Sequence, residues 1–413
     1  MTQTKELQAL FDRAAAEGRE AVIKAGTYVS GTLFLRDGLT VRLEKGAMIL
    51  GSRDFSDYSS DVNLFIDGAG GERGRALIYG EGVKNVRIYG EGVINGHGRA
   101  FPESHPHFNS RPFLLRLREC ENVTVEGISL MDSACWNFHI MNCDRVTVRG
   151  LTIRSRVNGN NDGIDIDASR HCLIEDCFID TGDDAICFKT TVDRPCAHNR
   201  VRRCTLTSNW AAIKMGTESV GDFEDIEISD LYVYDTNGCA IKIEPVDGAN
   251  IRDILIENIN FDHCTGPIFI ANGDRLRRYN EHFRTEGGEV NGVTIRSLHG
   301  SCINDAGAGT GRPGDEHETR VMSCITVSGT PERPVKNLTL SDFDVQMAGG
   351  CGAYEKREIP EMGKQYPEYH VFGVLPAWGV YTRHIENMKT ENINLTVAEK
   401  DVRPMVYHED RQS

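Results

Sequence analysis

Residues 122–130 read NVTVEGISL and residues 145–153 read RVTVRGLTI. Both carry the apolar/polar alternation of short strands, broken at a glycine-containing turn. The pattern returns as CLIEDCFID (172–180), RVRRCTLTS (200–208), DIEISDLYV (225–233) and DILIENINF (253–261). Aligning Ile128, Leu151, Cys177, Cys204, Leu231 and Ile259 gives steps of 23, 26, 27, 27 and 28 residues. A second strand series lies between these segments: NFHIM (137–141), GIDID (163–167), AICFK (185–189), AIKMG (212–216) and AIKIE (240–244).

Alternating strands repeated at this period form a solenoid, in which each coil buries its apolar side chains against its neighbours. Leucine-rich repeats have a similar period, but their Leu-x-x-Leu-x-Leu signature and helical segments are missing. The expected fold is therefore all-β, a right-handed single-stranded parallel β-helix with successive coils about 4.8 Å apart. Cys177 and Cys204 are expected to stack inside it as small hydrophobes. GLTVRLEKGAMIL (38–50) and NVRIYGEGVI (85–94) read as the first coils, and residues 1–20 as a capping helix with Leu7, Leu10, Phe11 and Ala14 on one face. The reading is one domain over 1–413, with main coils at 38–345 and C-terminal coils and loops at 347–413. Residues 347–380, rich in Gly, Pro and aromatics, are expected to wall one face.

The formal charge of -15 argues against a nucleic-acid partner, because phosphate binding needs clustered Lys and Arg. No run of about 18 apolar residues suggests a membrane span, and the N-terminal segment has neither an apolar signal region nor a small-residue cleavage site. The expectation is a soluble protein, cytoplasmic if the sequence begins at its natural start and secreted if a leader has been removed; composition says nothing of its oligomeric state. Thirteen cysteines without a CxxC pair argue against a disulfide framework or structural zinc, and for reduced, buried thiols.

Stacking the second strand series places Ile164, Ile186, Ile213 and Ile241 inward, with Ile166, Phe188, Met215 and Ile243. Three outward columns follow: Trp136, Asp162, Asp184, Ala211, Cys239; then His139, Asp165, Cys187, Lys214, Lys242; then Met141, Asp167, Lys189, Gly216, Glu244. Asp162 and Asp184 fall one rung apart, with Asp183 beside them at the turn. Three carboxylates this close cannot ionise independently, so at least one pKa rises while another stays low. That provides an acid and a base at one pH, the requirement for cleaving an acetal. An Asp/Asn turn ladder bonding nearby backbone N–H groups and a calcium site are alternatives that the residues alone leave open.

Asn160-Asn161-Asp162-Gly163 and Gly182-Asp183-Asp184, with Asp162 and Asp183 separated by 21 residues, resemble glycoside hydrolase family 28, the polygalacturonase and rhamnogalacturonan hydrolase family. The resemblance extends from AGTYVSGTLFLRDGLTVRLEKGAMILGS through SACWNFHI to FGVLPAWGVYTRH, nearly the whole chain. It implies a pectin-lyase-like solenoid and inverting hydrolysis without metal or organic cofactor. By position it implies Asp183 as general acid, Asp162 and Asp184 as the pair that holds and activates water, and Asn160 as a supporting hydrogen-bond residue. The wider columns would line sugar subsites.

Two rungs depart from the family pattern. Where polygalacturonases carry Gly-His-Gly, this chain has Trp210-Ala211-Ala212; where they carry Arg-Ile-Lys, it has Lys242-Ile243-Glu244. Plain polygalacturonate is therefore in question, although Lys214, stacked with Lys242, supplies a replacement cation for an acidic sugar. Further candidate contacts are His139, Trp136 as an apolar platform for a pyranose, Tyr381 and Arg383 on one face of GVYTRH, and Arg275, Arg277 and Arg278 in GDRLRRY. The leading reading is an exo-acting hydrolase of a pectin-related, galacturonate- or rhamnose-containing oligosaccharide. A polysaccharide lyase using Lys214 or Lys242 as base, and a non-catalytic carbohydrate-binding β-helix, are the rivals.

Overall fold

The computed structural model describes residues 2–68, 70–279, 281–304 and 324–411. Met1 of the expected cap, 305–323 of the expected main coils, and Gln412 and Ser413 lie outside the described residues. Two compact units are present, one made of Met1–Cys187 and His198–Thr205, the other of Phe188–Ala197 and Leu206–Ser413. Both are built from stacked parallel strands, the right-handed parallel β-helix that the repeats predict.

Each coil of the first unit contributes strands to three columns. One runs through Glu20–Ile23, Thr40–Leu43, Lys84–Gly90, Glu121–Glu126, Asp144–Arg149 and Leu173–Glu175. A second runs through Gly26–Ser30, Ala47–Gly51, Val93–Asn95, Ser129–Met131, Thr152–Ser155 and Phe178–Thr181. The third, through Leu33–Phe34, Ala76–Glu81, Phe113–Arg118, Phe138–Met141 and Ile164–Asp167, carries the candidate site. Like stacks on like: Val123 pairs with Val146, Leu130 with Ile153, Ile140 with Ile166. All are buried, so truncating one, such as Ile166→Ala, would cost about 2–5 kcal/mol. All thirteen cysteines are buried and free, as expected, with Cys177 and Cys204 hydrogen-bonded to each other.

Left-handed residues recur in or just before the first-column strands. Asn122, Arg145, His171 and His198 recur at φ 55, 55, 54 and 57°, and the rings of His171 and His198 stack at 5.0 Å. A non-glycine residue there costs about 1–2 kcal/mol, which stacking and hydrogen bonds along the column offset.

The cap is the helix Thr4–Glu17, which buries Leu7, Phe11 and Ala14 and ends at left-handed Gly18. It also satisfies the exposed strand edge. Gln8 Nε2 donates to Phe34 O at 3.0 Å while Phe34 N–H donates to Gln8 Oε1 at 2.8 Å; Gln3 donates to Val29 O through its backbone N–H at 2.7 Å and accepts from Val29 N–H on its Oε1 at 3.0 Å. The two glutamines stand in for a neighbouring strand, Gln8 with its side-chain amide and Gln3 with its backbone N–H and side-chain oxygen.

In the second unit the strands lengthen. Phe223–Tyr234, Ile251–Cys264, Val290–Cys302, Val335–Gly349 and Lys389–Glu399 pair in order, and each contains a left-handed residue at an equivalent position: Asp230, Asn258, Ser297, Asp342 and Asn392. The other column runs through Ala211–Ser219, Cys239–Ile243, Ile268–Ala271, Ile325–Ser328, Val380–Arg383 and Val406–His408. The segment before Val380 folds over this column, as its composition predicts. Among the described residues no helix is long and apolar enough to cross a membrane.

Candidate active site

Asp162 precedes the strand Ile164–Asp167, and Asp183 and Asp184 form the turn after Phe178–Thr181. Gly163 N–H donates to Asp184 O at 2.9 Å and Asn137 N–H to Asp162 O at 2.9 Å, so the two aspartates occupy successive rungs. Gly163 is required by close approach: a Cβ there would lie 2.3 Å from Ala185 O and 2.7 Å from Ile179 Cγ2. One carboxylate oxygen from each of Asp162, Asp183 and Asp184 lies within 4.8 Å of the others. Asp162 and Asp184 are buried and Asp183 is half-buried. Oxygens so placed can polarise a water between them; three carboxylates alone are a sparse set for calcium, which takes six to eight oxygens.

The preceding asparagines hold this turn. Asn161 Nδ2 donates to the carbonyls of Ser133 and Cys135, both at 2.9 Å, and its Oδ1 accepts from Val157 N–H at 3.0 Å and Asn158 N–H at 2.8 Å. Asn160 sits at φ 54°. Its Oδ1 accepts from Arg111 Nη2 at 3.2 Å and Arg73 Nη2 at 3.5 Å, and its Nδ2 faces Asp183 Oδ2 at 3.5 Å. Arg73 is bonded to Asp67 at 2.7 Å. Arg73, Arg111 and Asp67 did not emerge from the sequence, because they sit in insertions between coils where no repeat marks them.

Trp136 and His139 are brought to the neighbouring rung but under cover, not open to a sugar. Trp136 stacks on Phe113 with ring centroids 5.0 Å apart and an interplanar angle of 6°. Phe65, from the hairpin Phe65–Ile66/Glu72–Arg73, lies over both, 6.1 Å from Trp136 and 5.4 Å from His139. His139 Nδ1 faces Arg116 Nε at 3.3 Å, and a guanidinium only donates, so Nδ1 accepts and Nε2–H donates to Asp167 Oδ2 at 3.1 Å. The imidazole is neutral in this arrangement.

In the second unit Lys214 pairs in register with Lys242, as the columns predict. Both are buried, as is Glu244. Lys242 Nζ lies 2.6 Å from Glu368 and 3.7 Å from Glu244; Lys214 Nζ lies 3.8 Å from Glu244 and 3.3 Å from Tyr366 OH. Burial alone would lower the Lys242 pKa, but the Glu368 and Glu244 carboxylates outweigh it and raise it. Arg275 is engaged by Asp247 and by Thr217 O, and Arg278 lies over Phe283.

Tyr381 and Arg383 are likewise covered. Tyr381 OH donates to Glu409. Arg383 donates to Ser328 Oγ at 2.8 Å, Ile359 O at 2.9 Å and Pro360 O at 2.6 Å, which makes it a clamp for the overlying segment.

The sequence matches the family model described as glycosyl hydrolases family 28 over residues 59–308. A probable polygalacturonase of Vitis vinifera is 25% identical over 329 residues, 75% of this chain and 67% of that protein. A probable polygalacturonase of Arabidopsis thaliana is 25% identical over 290 residues, 68% of this chain, and the chain spans only 61% of its length. The crystal structure of a hyperthermoactive exopolygalacturonase from Thermotoga maritima superposes with a TM-score of 0.72 at 17% identity, covering 96% of this chain and 88% of that one. At that identity the likeness bears on the fold.

Proposed function

The chain belongs to glycoside hydrolase family 28 and is a glycoside hydrolase, and from that premise we propose that it is an exo-acting, inverting hydrolase of pectin-derived oligosaccharides containing galacturonate or rhamnose. Asp183 protonates the glycosidic oxygen as the bond breaks. Asp162 and Asp184 hold a water and accept its proton as it attacks the anomeric carbon from the opposite side. Asn160 hydrogen-bonds the acid. One carboxylate oxygen from each of the three aspartates lies within 4.8 Å of the others, a tighter cluster than the roughly 6.5–9.5 Å spacing of two-carboxylate inverting enzymes suggests. The water is therefore assigned to the Asp162–Asp184 pair together, not to a gap between one acid and one base.

The observation that carries exo-action is the hairpin over the first unit. From the Asp162 rung the stacked strands pass to the outward residues Trp136 and His139 on the next rung, then to Arg116 and then to Tyr79, which are 2%, 0%, 0% and 1% exposed. Phe65 packs over Trp136, His139 and Arg116, and Arg116 pins both ends of the insertion through Asn63 O at 2.6 Å and Gly74 O at 3.1 Å. A polymer running along this face would meet the hairpin one rung beyond the aspartates. Engagement of Lys242 by Glu368 supports a substrate whose recognition does not depend on a Lys242–carboxylate contact.

The test is a panel of pectic oligosaccharides, with products sized by chromatography and the anomer followed by NMR. Release of terminal mono- or disaccharide with inverted configuration supports the proposal. Internal cleavage, a retained anomer, or an unsaturated product absorbing in the ultraviolet would each overturn the corresponding part.

A further inference from the structure

Resting on that functional reading, we propose that Arg73 and Arg111 are positioning residues that hold the Asn160 side-chain amide with its NH2 group toward Asp183. An amide can face its surroundings in two orientations, with oxygen and nitrogen exchanged. A guanidinium has five donors and no acceptor, so the Asn160 atom that meets two guanidiniums must be the oxygen. Arg111 Nη2 at 3.2 Å and Arg73 Nη2 at 3.5 Å both point at Oδ1, which leaves Nδ2 at 3.5 Å from Asp183 Oδ2.

Neither arginine has freedom to leave. Arg111 is fully buried and donates in addition to the carbonyls of Phe108, Ala134 and Gly159. Arg73, also buried, is tied to Asp67 at 2.7 Å and to Asn109 O at 2.8 Å. Asn160 itself is pinned by its left-handed backbone and by its neighbour Asn161, whose amide is bonded on both sides. The chain Asp67, Arg73, Asn160, Asp183 thus runs from the covering hairpin to the acid.

The consequence falls on Asp183. One of its oxygens faces the Asn160 NH2 group, and the other accepts from Asp184 N–H at 3.0 Å. Both oxygens are oriented by donors, which stops rotation of the carboxyl and favours its charged form after the proton has gone to the leaving group. Were the amide to turn over, an acceptor would face the carboxylate. The acid would then bind its proton more tightly and lose its fixed direction.

The experiment is a 13C carboxyl NMR titration of wild type, Arg73→Gln, Arg73→Lys and Asn160→Ala, with the Asp183 resonance identified by its loss in Asp183→Asn. In Arg73→Gln and Asn160→Ala the midpoint should move up by about half a pH unit or more, because a donor to the charged form is lost. In Arg73→Lys, which keeps a donor-only group, it should stay near wild type. On a cleaved oligosaccharide, kcat should fall about tenfold or more in the two disruptive variants with KM within about threefold. An unshifted midpoint with unchanged kcat in both overturns the inference; a fall in melting temperature alone would make Arg73 a mere hairpin tie. If Arg73→Gln does not fold, Asn160→Ala carries the test. If the wild type cleaves nothing in the panel, the functional reading fails, while the titration still decides the positioning.

Discussion

Lys242 and Glu368 stand 126 residues apart in the chain and meet at 2.6 Å, with 1% and 9% of their side chains exposed. A buried ion pair gives little net stability over an apolar pair, but removing one partner strands the other charge. Glu368→Leu alone should therefore cost about 3 kcal/mol, somewhat moderated by Glu244 at 3.7 Å. The double variant Lys242→Met/Glu368→Leu should cost far less than the sum of the singles. Urea unfolding of the four proteins measures this; additive losses would mean that the pair is not coupled.

Asp183→Asn keeps the shape of the turn and removes the proton that the proposed acid would transfer. Turnover should fall about 10²- to 10⁴-fold, with circular dichroism and melting temperature near wild type. Wild-type activity should be indifferent to a chelator, since the aspartates are assigned to proton transfer. Hydrolysis at the wild-type rate by Asp183→Asn would sink the assignment, and loss of activity with chelator would return the cluster to a cation.

Rung order was legible because every coil repeats the same burial problem. Counting from Ile164 to Ile186 was enough to set Asp162 against Asp184, and the Lys214–Lys242 register follows from the same count. What the repeats do not contain is what lies on top of them. His139, Trp136, Lys242 and Arg383 project from the expected side of their strands, yet insertions without periodicity bury them: the 65–73 hairpin in one unit, the segment before Val380 in the other. For the same reason the partners of Asn160 were invisible. Arg111 and Arg73 lie 49 and 87 residues away along the chain, in loops whose lengths vary from coil to coil.

Glu175 ties coils together through Arg149, Arg202 and Arg203 at 2.6, 2.8 and 2.6 Å. Burial pushes its carboxyl up, but hydrogen bonds from the three arginines more than offset this and hold it at about 2. Its folded-state pKa is thus below the unfolded value of 4.5, so its contribution is complete above that pH and is lost as pH falls from there toward about 2. The arginines are half-exposed, which limits the effect. Glu175→Gln should be less stable than wild type by about 1–2 kcal/mol at pH 7. That gap should close on titration from pH 5 to the acid limit; a gap constant with pH would mean that the carboxylate charge is not what matters.

The covering hairpin makes the sharpest claim about mode of action. Phe65 is the apolar contact that seats it, packed on Trp136, Phe113 and His139 with centroids 6.1, 6.3 and 5.4 Å away. Phe65→Ala removes a buried aromatic ring and should cost the protein about 3 kcal/mol or more, with the loss concentrated in the hairpin because Arg116 and Asp67 still tether its backbone and Arg73. A loosened hairpin uncovers the face beyond Asp162. On a long pectic oligosaccharide the variant should therefore release internal fragments that the wild type does not, even as its overall rate falls. Chromatography of early products reads this directly. If Phe65→Ala loosens the hairpin, seen as faster amide exchange over residues 63–74, and the products remain terminal, the hairpin is not what confines cleavage to chain ends.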